Sequence, residues 1–144
     1  MDRSLIVLSS IRIHSSAEKI WHILTTPDYI KQYLFGTTVV TDWRIGSPIL
    51  FQGEYQGHHY TDKGFVKENK PMSELTYSYW SSFSTLVDKE ENYSLVSYIL
   101  EQCGANETTL TWRQEGFASL DGKCHAEESL KAILQKIKNL SEEL

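Results

Sequence analysis

An apolar stripe of helical period runs along the C-terminal segment, from about residue 122 to 140, and constrains the fold more than any other feature. Ala126, Leu130, Ile133, Leu134, Ile137 and Leu140 recur at the spacing of one helix face, with Lys131, Gln135, Lys136 and Lys138 opposite. Burying a large apolar side chain contributes ~1.5–3 kcal/mol, so this helix needs a broad apolar surface to dock on. The preceding residues can supply one. Runs at 37–41, 49–55, 60–68, 74–80, 93–102 and 107–116 read as strands, β-branched or alternating, with Gly, Pro and Asn punctuation between them. The third is interrupted at Asp62-Lys63-Gly64, and 81–92 is the one long connection. Gln56-Gly57-His58-His59 and Gly104-Ala105-Asn106 read as hairpin turns.

The N-terminal part adds one more strand and two short helices. Leu5, Val7, Ile11 and Ile13 keep one parity through 4–14, the pattern of a half-buried strand. Ser15-Ser16-Ala17-Glu18 fits a capping box with Ser15 as the cap, and Ala17, Ile20, Trp21 and Leu24 form the stripe behind it. Thr26-Pro27 opens a second helix over 27–33, presenting Ile30, Tyr33 and Leu34. The order β-α-α-β-β-β-β-β-β-α over residues 1–144 predicts one α+β domain. Its parts are a curved antiparallel sheet, two short helices after the first strand, and one long closing helix.

Composition narrows the function classes. Fourteen Lys and Arg against nineteen Asp and Glu give a formal charge of −5, with no positive field for nucleic acid or an anionic membrane. The first residues are too polar for a secretory segment, and no run approaches the ~20 apolar residues of a membrane span. The expectation is a cytoplasmic protein. Cys103 and Cys124 lie outside any CxxC pattern and read as reduced thiols, although spacing alone leaves a disulfide between them open. Four Trp and eight Tyr against five Phe suit walls that are half apolar and half wet, a hint of a cavity.

Candidate chemistry is sparse. His58 and His59, adjacent on a strand, would point to opposite faces and so could not share a metal; no metal site is expected. Cys124-His125 near a helix start lacks a third group, and Asp62-Lys63 would diverge across a strand, with Gly64 marking a bulge or a close backbone approach. Glu90-Glu91 and Glu127-Glu128 read as solvated surface. GxSxG, GxxxxGK[ST] and GxGxxG are all absent. Trp80-Ser81-Ser82-Phe83, where a strand enters the long loop, could gate a cavity mouth.

These residues resemble a known superfamily. Ile13 to Trp21 is similar to the entry of START-like (SRPBCC, Bet v 1-like) domains. Within them the chain looks closest to homologues of the activator of heat-shock-protein-90 ATPase. Stretches 43–51, 62–64, 75–80, 91–98 and 108–111 continue the likeness over nearly the whole chain. The resemblance implies a helix-grip fold, a curved antiparallel sheet wrapped around the long C-terminal helix, with a cavity between them for an apolar or amphipathic small molecule. Strand parity turns Phe51, Tyr55, Leu75, Tyr77, Tyr79, Val96, Tyr98, Leu110 and Trp112 toward the long helix, and with Leu130 and Leu134 from that helix they are the expected cavity lining. Two departures stand out: Tyr33 where many relatives have Trp, and Glu128-Ser129 where many have Gly-Trp. The second bears on the width of the cavity mouth.

Three functions follow from the resemblance: non-enzymatic binding of a hydrophobic or aromatic small molecule, a protein-interaction or co-chaperone domain, and a cyclase- or hydrolase-like enzyme. No catalytic residue and no cofactor is assigned. The inward rows hold no Lys or Arg, so a carboxylate ligand would lack a buried counter-charge. Neutral ligands are therefore expected to bind better than ionised analogues, with little dependence on salt and Tyr98 as a polar tip.

Overall fold

In the computed structural model, which describes residues 1–144, the chain runs β1 (Asp2–Ile13), α1 (Ala17–Thr25), α2 (Pro27–Tyr33), β2 (Thr38–Val40), β3 (Pro48–Tyr55), β4 (His58–Lys70), β5 (Glu74–Tyr79), β6 (Ser94–Gly104), β7 (Glu107–Phe117) and α3 (Leu120–Glu143). A single 3-10 turn at Glu90–Asn92 interrupts the long connection. The seven strands form one antiparallel sheet in the order β1-β7-β6-β5-β4-β3-β2. Curved around α3, it makes an α+β helix-grip fold. No helix is long and apolar enough to cross a membrane.

Strand parity places one face of the sheet inside. Along β6, Val96, Tyr98 and Leu100 are buried; on β7 Leu110 and Trp112 are, and on β1 Val7 and Ile13. Leu130, Ile133, Leu134 and Ile137 of α3 complete the same core. The helix starts earlier than its stripe suggests because Ser119 caps it, its hydroxyl accepting from the Gly122 N–H at 3.1 Å. Its C-terminal half is pinned to the first strand: the Lys138 ammonium donates to the Arg12 carbonyl at 3.1 Å, and Glu142 accepts from the His14 N–H at 2.9 Å. Helices α1 and α2 close the same end. Tyr33 is buried between them, its hydroxyl donating to the Leu24 carbonyl at 2.9 Å.

Two local expectations are corrected. The α1 cap is Ser16, whose hydroxyl accepts from the Lys19 N–H at 3.3 Å, and not Ser15. Ser15 instead turns inward, where its carbonyl accepts from the Thr108 hydroxyl at 2.8 Å. Nor is β4 broken at Asp62-Lys63-Gly64; it runs unbroken from His58 to Lys70 and shifts register only between Val66 and Glu68. Gly64 holds the strand together there, because β5 passes so close that a Cβ would stand 1.9 Å from the Ser78 carbonyl oxygen. The β3–β4 hairpin turns on Gln56 and Gly57, with φ of 49° and 81°, the doubly positive pair of a type I′ turn. His58 and His59 therefore belong to the strand, both exposed.

Candidate functional site

The grip is tight at one end and open at the other. Where α3 lies against β1, α1 and α2, the interior is filled. Toward β3, β4 and β5 the first turns of α3 stand away from the sheet and leave an open pocket of about 710 Å3. Its floor is the inward row of the sheet: Phe51, Tyr77, Val96 and Trp112, with Tyr79 beside them. Ile133, Ser129 and His125 descend from α3, and Leu34, Phe35 and Thr37 follow α2. Ser81 and Phe83 come from the connection after β5.

Of the residues expected at the cavity, Phe51, Tyr55, Tyr77, Tyr79, Val96 and Trp112 come together on this wall. Tyr55, the last residue of β3 before the hairpin turn, stands at the rim with 59% of its surface exposed. Leu75, Tyr98, Leu110, Leu130 and Leu134 are buried in the core and stay off the wall. Tyr98 is the clearest case. Its ring lies 4.3 Å from that of Trp112, and its hydroxyl is taken up by the hydroxyl of Tyr77 inside the core, so Tyr98 is not a polar tip of the pocket.

The rings form a connected lattice. Phe51 meets Tyr77 and Tyr79 at 5.6 and 5.2 Å between centroids, and Phe83 meets Tyr60 and Tyr55 edge-on at 5.5 and 6.1 Å. Gly53 makes this possible. A Cβ there would stand 2.4 Å from the Tyr60 hydroxyl, so the Tyr60 ring lies across β3 and its hydroxyl bonds that of Thr37 at 3.0 Å. Burial pushes the hydroxyls of Tyr33, Tyr77, Tyr79 and Tyr98 well above the usual tyrosine range, and for Tyr79 the neighbouring Asp62 charge adds to it. Of these four, Tyr77 and Tyr79 line the pocket, as neutral phenols.

Asp62 is the site residue that pattern reading took as a structural break. It faces inward from β4, opposite Phe51 in the β3 register, and only 4% of its surface is exposed. Its carboxylate accepts from the Tyr79 hydroxyl at 2.5 Å, the Ser82 N–H at 2.9 Å and the Ser82 hydroxyl at 3.0 Å. Those bonds hold down the start of the loop that carries Phe83 over the mouth. The signal was legible as parity: Tyr60, Asp62, Gly64 and Val66 alternate inward once the strand is read as continuous. Lys63 points the other way and pairs with Asp88 at 2.9 Å. Ser129 contributes only a small side chain to the pocket wall from α3. His125 reaches the pocket, while Cys124 beside it and Cys103 are exposed free thiols.

Comparison with known proteins agrees with this architecture. A Cytophaga hutchinsonii protein, solved in solution, is 33% identical, with 99% of this chain and 97% of that one covered at a TM-score of 0.82. The Aha1 dimer from Colwellia psychrerythraea is 19% identical, with coverage of 95% and 96% and a TM-score of 0.74. An HSP90 activator from Plasmodium falciparum is 13% identical, covering 78% of this chain and 74% of that one at 0.63. These last two likenesses show the fold alone. No curated protein matches. Residues 14–142 match the family described as Activator of Hsp90 ATPase homolog 1-like protein, and the chain belongs to that family.

Proposed function

We propose that this chain is a cytoplasmic, non-enzymatic binder of an apolar or aromatic small molecule, held between the sheet and the first turns of α3. The observation that carries the reading is the pocket itself. Its volume of about 710 Å3 falls in the ~300–1,000 Å3 range of ligand sites, and a mostly apolar wall with few convergent polar groups is what such sites use. Trp112 lies in that wall and reports occupancy by fluorescence. The test is a titration against lipids and polyphenols, paired with extraction of the denatured protein for carried-over ligand. Micromolar binding with a Trp112-dependent signal is expected; a panel with nothing below millimolar overturns the reading.

A second reading is favoured by one feature. Phe35, Tyr55 and Phe83 stand 58–59% exposed around the mouth, an apolar rim that a protein partner could cover. Given the family name, that partner would be a chaperone of the Hsp90 type. Stimulation of its ATPase by this chain, lost in Phe83→Ser, would support this use of the rim.

A further inference from the structure

Resting on the small-molecule reading above, the geometry points to a ligand that carries a positive charge: an aromatic or aliphatic ammonium whose apolar body fills the pocket and whose cationic end sits beside Asp62. Three observations converge. The first is an uncompensated buried charge. Asp62 is 4% exposed, and its three hydrogen-bond donors, from Tyr79 and Ser82, are all neutral. No Lys or Arg lines the pocket, and Lys63, next in sequence, is spent on Asp88 at 2.9 Å. Three neutral donors occupy the carboxylate's lone pairs but bring no opposite charge to it, and beside a wall of apolar rings its field is less screened than in water.

The second observation is aromatic. Phe51 lies opposite Asp62 in register, Tyr79 is bonded to it, and Tyr60 is two residues along the same inward row. Phe83 follows Ser82 and packs on Tyr60. Aromatic rings gathered around one anion supply what recognises quaternary and protonated amines, π-systems together with a carboxylate that replace the ammonium's hydration. The third is the surrounding charge: the chain is −5 overall, so the field outside favours approach of a cation. Absence of Lys and Arg from the inward rows already disfavours anions; Asp62 adds that a cation outranks even a neutral ligand.

The test compares three molecules of one shape: naphthalene carrying a trimethylammoniomethyl, a hydroxymethyl or a carboxylate group, each titrated against the wild-type chain by calorimetry and Trp112 fluorescence. The expected order is ammonium, alcohol, carboxylate, with the ammonium at least about tenfold tighter than the alcohol. In Asp62→Asn, which keeps the size and an acceptor for Ser82, the ammonium falls to the level of the alcohol while alcohol affinity stays within about threefold. Equal binding of ammonium and alcohol by the wild type overturns cation selectivity and leaves the small-molecule reading standing. Binding of none of the three overturns both. The wild-type comparison needs no variant, so a poorly folding Asp62→Asn leaves it decisive.

Discussion

A methyl group built on Gly64 would lie 1.9 Å from the Ser78 carbonyl oxygen, while one on Gly104, at the end of β6, meets nothing within 4 Å. The first contact is with backbone, which cannot rotate away. Lys63 and Trp80 exchange hydrogen bonds at 3.0 and 2.7 Å beside it, so any retreat of β5 breaks that bridge. Gly64→Ala should therefore cost ~1–3 kcal/mol, the range for overpacking, and Gly104→Ala should stay within ~0.5 kcal/mol. Urea midpoints for the two variants check this. If they coincide, β4 and β5 do not approach as described. Ser129 gives a prediction at the same scale that separates binding from folding. It lines the pocket from α3 with an open volume in front of it, so Ser129→Trp should fill the wall without displacing a buried neighbour. Ligand affinity should fall at least about tenfold with the melting midpoint held or raised. A variant that binds as the wild type does would place the ligand elsewhere.

At the scale of elements, α3 decides how much of the molecule holds together. Leu134 is 3% exposed in the end of the grip that α1 and α2 close, whereas Lys136 faces solvent and leans over Phe35 at 6.0 Å. Leu134→Ala should cost ~2–5 kcal/mol and Lys136→Ala less than ~0.5 kcal/mol, read from urea unfolding. The helix face needed no structure to find, because its period is local to the chain and its residues are unambiguous. The same holds for the alternation in β6 and β7. What local pattern could not decide was where α3 leaves the sheet. Leu130 and Leu134 share the stripe with Ile133, yet only Ile133 lines the pocket, since the gap depends on how α1 and α2 fill the opposite end. Asp62 was hidden for a related reason. A charged residue beside Lys63 and Gly64 reads as a break, and its hydrogen-bond donors, Tyr79 and Ser82, come from another strand and a loop. Ser15 and Ser16 both fit the cap by pattern, and the contact that distinguishes them, Thr108 on the Ser15 carbonyl, comes from a strand distant in sequence.

Across the whole molecule the interior is unusually rich in phenols, and that makes its stability sensitive to alkali. Burial raises the hydroxyls of Tyr33, Tyr77, Tyr79 and Tyr98 well above their ordinary range. Tyr93 is pushed up to about 12, by burial first and then by its bond to the Asp88 carboxylate. In the unfolded chain each of these groups ionises near pH ~10. A group whose folded value lies above its unfolded value contributes stability that is complete below the unfolded value. That stability drains away as pH rises toward the folded one. Five such groups draining together should outweigh a margin of ~5–15 kcal/mol well before the buried hydroxyls could ionise in place. The expected result is a sharp loss of near-ultraviolet circular dichroism between about pH 10 and 12, with tyrosinate absorbance at these positions rising in the same step. Each Tyr→Phe change at position 33, 77, 79 or 98 removes one ionisable group from the unfolded chain, so each should shift that step to higher pH, offset by whatever hydrogen bond is lost. Tyr77 and Tyr98 bond each other, so either change also costs the other its partner, while Tyr79→Phe takes a donor from the buried Asp62 carboxylate and should shift the step least. Smooth tyrosinate formation up to pH 12 with the dichroism of the folded state retained would mean the phenols are wet, and that the floor of the pocket is not the closed surface described.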